Sequence, residues 1–161
     1  MATKNHKLIT NSQTERVALV IQYSGANLYG WQRHPRGRTV QSEIEKAIED
    51  FLGVPVNIYG AGRTDSGVHA AAQVAHFDNP SVISAVKWAS IINNRLPDDI
   101  VIRASAAVAD DWHARFSAKY RRYRYTIYTN RQPNLFVRPY SWHYYHEPLD
   151  IALMQIGRAH V

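Results

Sequence analysis

Cysteine is absent from the 161 residues, which excludes a disulfide framework and any thiolate metal site and fits a reducing, cytoplasmic setting. Long apolar runs are absent too. None approaches the roughly 18 residues of a membrane-spanning helix, so no span is expected. Residues 1–13 carry no apolar segment of signal-peptide type, and no signal peptide is expected. Eight histidines occur, but in no His-x-His or His-Glu-x-x-His pattern. His69 and His76 lie an odd number of residues apart on one expected strand, hence on opposite faces, and no metal is expected. Neither a Walker loop nor a dinucleotide glycine fingerprint is present. Acidic residues are the scarcer charge, 13 against 19 Lys and Arg, for a net charge of +6. A basic surface favours a polyanion, nucleic acid first and acidic lipid second.

What is present centres on residues 60–70, GAGRTDSGVHA. Three glycines bracket Arg63 and Asp65, and strand-like runs flank them at 54–59 and 68–77. In extended backbone residues two apart point the same way, so guanidinium and carboxylate would face one cleft, with Arg63 favouring ionised Asp65. Such a carboxylate suits a nucleophile or a proton acceptor; the plain alternative is a tight turn with a structural ion pair.

Length allows one domain, or one and a fraction. Residues 1–15 are expected to be a loose leader. Residues 16–23 (RVALVIQY) read as a buried strand. The loop over 24–38 combines Trp31 with Arg33, Arg36 and Arg38, suited to base stacking and phosphate contact, or a solvated loop with one tucked Trp. Thr39 is a good N-cap for a helix that ends at Gly53. A second helix, capped by Ser81 and stopped by Pro97, carries Ala85, Trp88, Ala89, Ile92 and Leu96; residues 100–108 return as a strand. The order β-α-β-β-α-β is a ferredoxin-like (RNA-binding-like) α+β signature over 16–111, with two helices on one sheet face and the other free for a ligand. Residues 112–161 read as the start of a second similar α/β domain. Residues 120–128 (YRRYRYTIY) alternate as a strand, residues 140–146 suggest another, and a helix begins at 149.

Asp65-Ser66-Gly67 matches the short signature of aspartic proteases, where two aspartates share a proton. The preceding Arg63-Thr64 opposes that reading, since a nearby guanidinium works against a shared proton. A non-catalytic RNA-binding module is the other rival; the aromatic-rich third-strand motif it would use is missing.

Residues 62–70 (GRTDSGVHA) resemble the signature loop of the tRNA pseudouridine synthase A family. Tyr23-Ser24-Gly25, Gly30-Trp31-Gln32, Thr39-Val40-Gln41 with Glu45, Asn93, Leu96, Pro97, Phe116-Ser117-Ala118 and residues 121–125 extend the resemblance over about 16–143. It implies isomerisation of uridine at positions 38, 39 and 40 of the tRNA anticodon stem-loop, without metal or organic cofactor, by a homodimer. Asp65 falls on the catalytic aspartate, acting on the ribose as nucleophile at C1′ or base at C2′. Tyr123 falls on the active-site tyrosine, and Arg63 would pair with Asp65 and hold the flipped base. Arg33, Arg36, Arg38, Arg122 and Arg124 are candidate phosphate contacts from charge and position. Family members run on the order of a hundred residues further, so a truncated second domain is expected, with RNA binding but poor isomerisation by this length of chain.

Overall fold

The computed structural model describes residues 14–156, without the side chains of Gln155 and Ile156. The expected leader is outside the described residues apart from Thr14 and Glu15, as is the tail over 157–161. The chain divides into two compact units, the first ending at Tyr120 and the second beginning at Arg121.

The first unit is α+β. Strand β1 (Glu15–Tyr23) buries Val17, Leu19, Ile21 and Tyr23, every second residue, as a half-buried strand should. It is followed by helix α1 (Val40–Leu52), strands β2 (Tyr59–Gly60) and β3 (Ala70–Asn79), helix α2 (Trp88–Asn93) and strand β4 (Ile100–Ala107). β1 pairs antiparallel with both β3 and β4, and β2 adds to β3, giving the order β2-β3-β1-β4. One core joins the inward residues of β1, Ala75 and Phe77 of β3, and Ile100 and Ile102 of β4 with Ile44 and Ile48 of α1 and Trp88 and Ile92 of α2. Trp88 stands edge-on to both Phe51 and Phe77. Each large side chain so buried contributes about 1.5–3 kcal/mol.

α1 begins as expected. The Thr39 side chain accepts the Ser42 N–H while the Ser42 hydroxyl accepts from Thr39 N–H, a capping box that satisfies free amides of the first turn. Gly53 ends it in the left-handed conformation, at φ 75°.

Other boundaries differ from expectation. The run 54–59 is not a strand until Tyr59, because Pro55 has no N–H and the Ile58 N–H bonds the buried Glu45 carboxylate (3.0 Å) instead of a ladder. Ser81 does not cap a helix. Its N–H and hydroxyl both donate to Asn79 Oδ1 (3.0 and 2.6 Å), and the Asn79 amide donates to the Ile83 carbonyl, so side-chain bonding holds a turn there. A short 3₁₀ turn (Ala85–Lys87) precedes α2.

The outer sheet face is not wholly free. His76 points away from the helices yet is buried, covered by residues 112–114. Tyr59 stacks on its ring, His113 and Trp112 meet it edge-on, and Ala114 N–H donates to His76 Nδ1 (3.3 Å). Arg16 ties this segment down by donating to the Asp110 and Trp112 carbonyls while pairing with Asp78.

In the second unit, strands β5 (Ile127–Tyr128) and β6 (Trp142–His143) pair in parallel, and helix α3 spans Ile151–Ile156. The alternating run 120–128 is strand only in its last residues. Residues 120–126 are exposed and lie outside any strand, Thr126 joining the ladder only through its carbonyl, which accepts Trp142 N–H (2.9 Å), so alternation alone does not make them a strand. Likewise 140–146 is strand only at β6.

Candidate active site

Residues 61–69 link β2 to β3 and carry Arg63 and Asp65, both exposed. At Asp65 the chain turns: Val68 N–H donates to the Asp65 carbonyl (3.2 Å), with Gly67 at φ 82° in the third position of the turn, where a type II turn requires positive φ. The loop between β1 and α1 holds this turn from behind. Trp31 N–H donates to the Thr64 carbonyl (3.0 Å). The hydroxyls of Tyr23 and Thr64 share a 2.7 Å hydrogen bond. The Leu28 carbonyl accepts from both the Ser66 hydroxyl (3.1 Å) and Gly67 N–H (3.4 Å). Gly25 N–H donates to His69 Nδ1 (3.2 Å). On the strand side, Gln73 Nε2 donates to the Gly62 carbonyl (2.7 Å).

Glycine is required where the two loops meet. A Cβ at Gly25 would overlap the Val68 carbonyl, and one at Gly30, itself at φ 82°, would overlap the Thr64 carbonyl. Asp65 therefore projects from a backbone fixed on both sides, as a group that must meet a substrate at a defined distance needs.

Among the described residues no ion pair joins Arg63 to Asp65, unlike the expected arrangement. Both side chains are exposed, and water solvates each charge well enough that no burial force draws them together. The carboxylate stays open to an incoming ligand.

Trp31 is buried, its ring against Gly60 and near Tyr23, and so is the tucked alternative rather than a stacking surface. The exposed aromatic of this loop is Tyr29, stacked on His34 at 5.5 Å with planes 8° apart. Arg33 is engaged by Glu45 (3.4 Å) and Asn57 (3.3 Å). Arg38 is held by Glu43 and Asp99, and the hydrogen bond to Asp99 in particular raises its already high pKa. Arg36 bonds His34 only through its backbone N–H and extends an exposed guanidinium without an acidic partner among the described residues. Tyr123, Arg122 and Arg124 belong to the second unit, all exposed. The site residues that sequence reasoning missed are Tyr23 as a hydroxyl donor or acceptor, and His69. Gly25 and Gly30 were the available signal, since glycine marks close approach.

Residues 19–117 match the family model described as tRNA pseudouridine synthase, more than half of the chain. The chain belongs to the tRNA pseudouridine synthase family. Relatives named tRNA pseudouridine synthase A include that of Nostoc sp., 68% identical over 143 residues, which are 89% of this chain and 51% of the relative. That of Rippkaea orientalis is 62% identical over 155 residues, covering 92% and 53%. That of Thermosynechococcus vestitus is 55% identical over 153 residues, covering 91% and 54%. The chain spans about half the length of the curated relatives it matches. Both the loop bearing Asp65 and the loop that clasps it lie within the part matched by the synthase family model. Neither the protease nor the plain binding-module reading is favoured by this membership. Among the described residues no group of three or more His, Cys, Asp or Glu is placed to hold a metal ion, and no helix is long and apolar enough to cross a membrane.

Proposed function

We propose that this chain supplies the catalytic aspartate of a tRNA pseudouridine synthase that converts uridine to pseudouridine at positions 38, 39 and 40 of the anticodon stem-loop. The observation that carries this reading is Asp65, exposed and without an ionic partner among the described residues, on a turn clasped from behind within a family-matched segment. The reaction is an isomerisation. The N1–C1′ bond of the nucleoside breaks, the uracil turns, a C5–C1′ bond forms, N1 gains a proton and C5 loses one to water. Asp65 acts on the ribose, at C1′ as nucleophile or at C2′ as base. The uridine leaves the stack to reach it. Arg63, without an ion-pair partner among the described residues and on the same loop, holds the displaced base, and Tyr123 packs on it and assists proton loss from C5.

The strand order β2-β3-β1-β4 with α1 and α2 as crossovers supports a ferredoxin-like reading of the first unit, and the relatives' greater length supports a second similar domain. Arg36, Arg122 and Arg124 contact tRNA phosphates, with Arg33 and Arg38 first serving the fold. The enzyme works in the cytoplasm as a homodimer, without metal or organic cofactor. Release of tritium from C5-labelled tRNA tests the reading, with the chain at its own length and at that of its relatives. Release by the longer protein supports it; none from any tRNA, with the fold intact, rejects it.

A further inference from the structure

We propose that His69 is a positioning residue for Asp65, acting through its Nδ1 on the backbone of the clasping loop. The link to turnover rests on the catalytic reading of Asp65; the link to the geometry of the turn does not.

Gly25 N–H donates to His69 Nδ1 at 3.2 Å, which requires a lone pair on Nδ1 and places the ring proton of the neutral imidazole on Nε2. Gly25 begins a short 3₁₀ turn whose carbonyl accepts Leu28 N–H (3.0 Å). The Leu28 carbonyl in turn accepts from the Ser66 hydroxyl and Gly67 N–H. The bonds form a closed circuit: His69, Gly25, Leu28, then Ser66 and Gly67, the two residues after Asp65. His69 closes it from the far end of the turn. Opening the circuit at His69 frees Gly25 from a seat so close to Val68 that no side chain fits there, and leaves the Asp65 turn held mainly through Trp31 and Tyr23. A side chain that merely filled space would need no acceptor at this atom. Asparagine carries its Oδ1 at the same bond distance from the backbone as histidine carries Nδ1, and so can replace the bond without the ring.

The test combines nitrogen-15 spectra, amide exchange and turnover. In the wild type a scalar coupling across the hydrogen bond between the Gly25 amide and His69 Nδ1 is expected, and its absence overturns the proposal whatever the variants do. His69→Ala should speed amide exchange at Gly67 and Trp31 by about tenfold or more while the β1 amides of Leu19 and Ile21 keep their protection. It should lower kcat by about tenfold or more with KM within a few-fold. His69→Asn should restore both to near wild type. Unchanged exchange in His69→Ala, or equal losses in both variants, overturns the assignment. If His69→Ala does not fold, the coupling and His69→Asn decide alone. The exchange pattern without tritium release from any form, including the wild type at its relatives' length, would leave His69 holding the turn and reject the synthase reading.

Discussion

Arg38 and Asp99 meet through two parallel hydrogen bonds, Nη2 to Oδ1 at 2.9 Å and Nη1 to Oδ2 at 3.2 Å, joining the loop after β1 to the turn before β4. Nε of the same guanidinium reaches Glu43 (3.1 Å). A side chain committed to two carboxylates offers little to a phosphate, whereas Arg36 faces no acid among the described residues. Arg36→Ala should therefore flatten the dependence of log K on log salt for tRNA binding by about one unit. Arg38→Ala should instead lower stability by about 1 kcal/mol, the upper range for a part-exposed pair, and change the slope little. Binding isotherms across a salt series, with thermal melts, separate the two. Slopes unchanged from wild type in both variants would place the tRNA elsewhere.

Gly30→Ala should destabilise the clasp. The residue sits at φ 82°, and a Cβ there overlaps the Thr64 carbonyl. A left-handed alanine and the required backbone shift together cost about 2 kcal/mol or more. Chemical denaturation would show it, with loss of turnover exceeding loss of tRNA binding. A variant as stable and active as wild type would mean the two loops are not in contact.

The strands and α1 were legible because their burial follows simple periods: Val17, Leu19, Ile21 and Tyr23 alternate, and Ile44 and Ile48 recur at helical spacing. Asp65 was legible as a carboxylate on a glycine-bracketed loop. The clasp was not, because hydrogen bonds from Trp31, Leu28 and Gly25 use backbone atoms that carry no sequence signature. The Arg63–Asp65 pair misled because spacing sets direction only in extended backbone, and the chain turns at Asp65. Residues 120–126 alternate as a strand would, but alternation specifies a strand only where a partner exists.

Stability should fall in acid because of His76. Burial, then the charges of His113 and Arg16, lower its pKa from 6.5 to about 4, partly offset by Asp78 and a backbone hydrogen bond at Tyr59. The folded state holds the neutral ring, whose Nδ1 accepts Ala114 N–H. Below pH 6.5 the unfolded chain binds a proton that the folded chain refuses until about pH 4, so the contribution is complete above 6.5 and lost progressively down to about 4. His76→Gln keeps an acceptor that does not titrate, and should flatten the melting temperature against pH across this window. The same slope in the variant would contradict the assignment.

Tyr123→Phe should leave the melting temperature unchanged, since the side chain is 72% exposed, while turnover falls by about tenfold or more. A lowered melting temperature with normal turnover would show a structural tyrosine.

On the proposed reading Asp65 performs the chemistry and the basic surface performs the binding. The direct measurement is tritium release from C5-labelled tRNA by Asp65→Asn beside wild type, at the length of the relatives, with tRNA affinity measured in parallel. Release is expected to fall to background while affinity stays within a few-fold, because phosphate contacts dominate binding. Near-normal release by Asp65→Asn would contradict it.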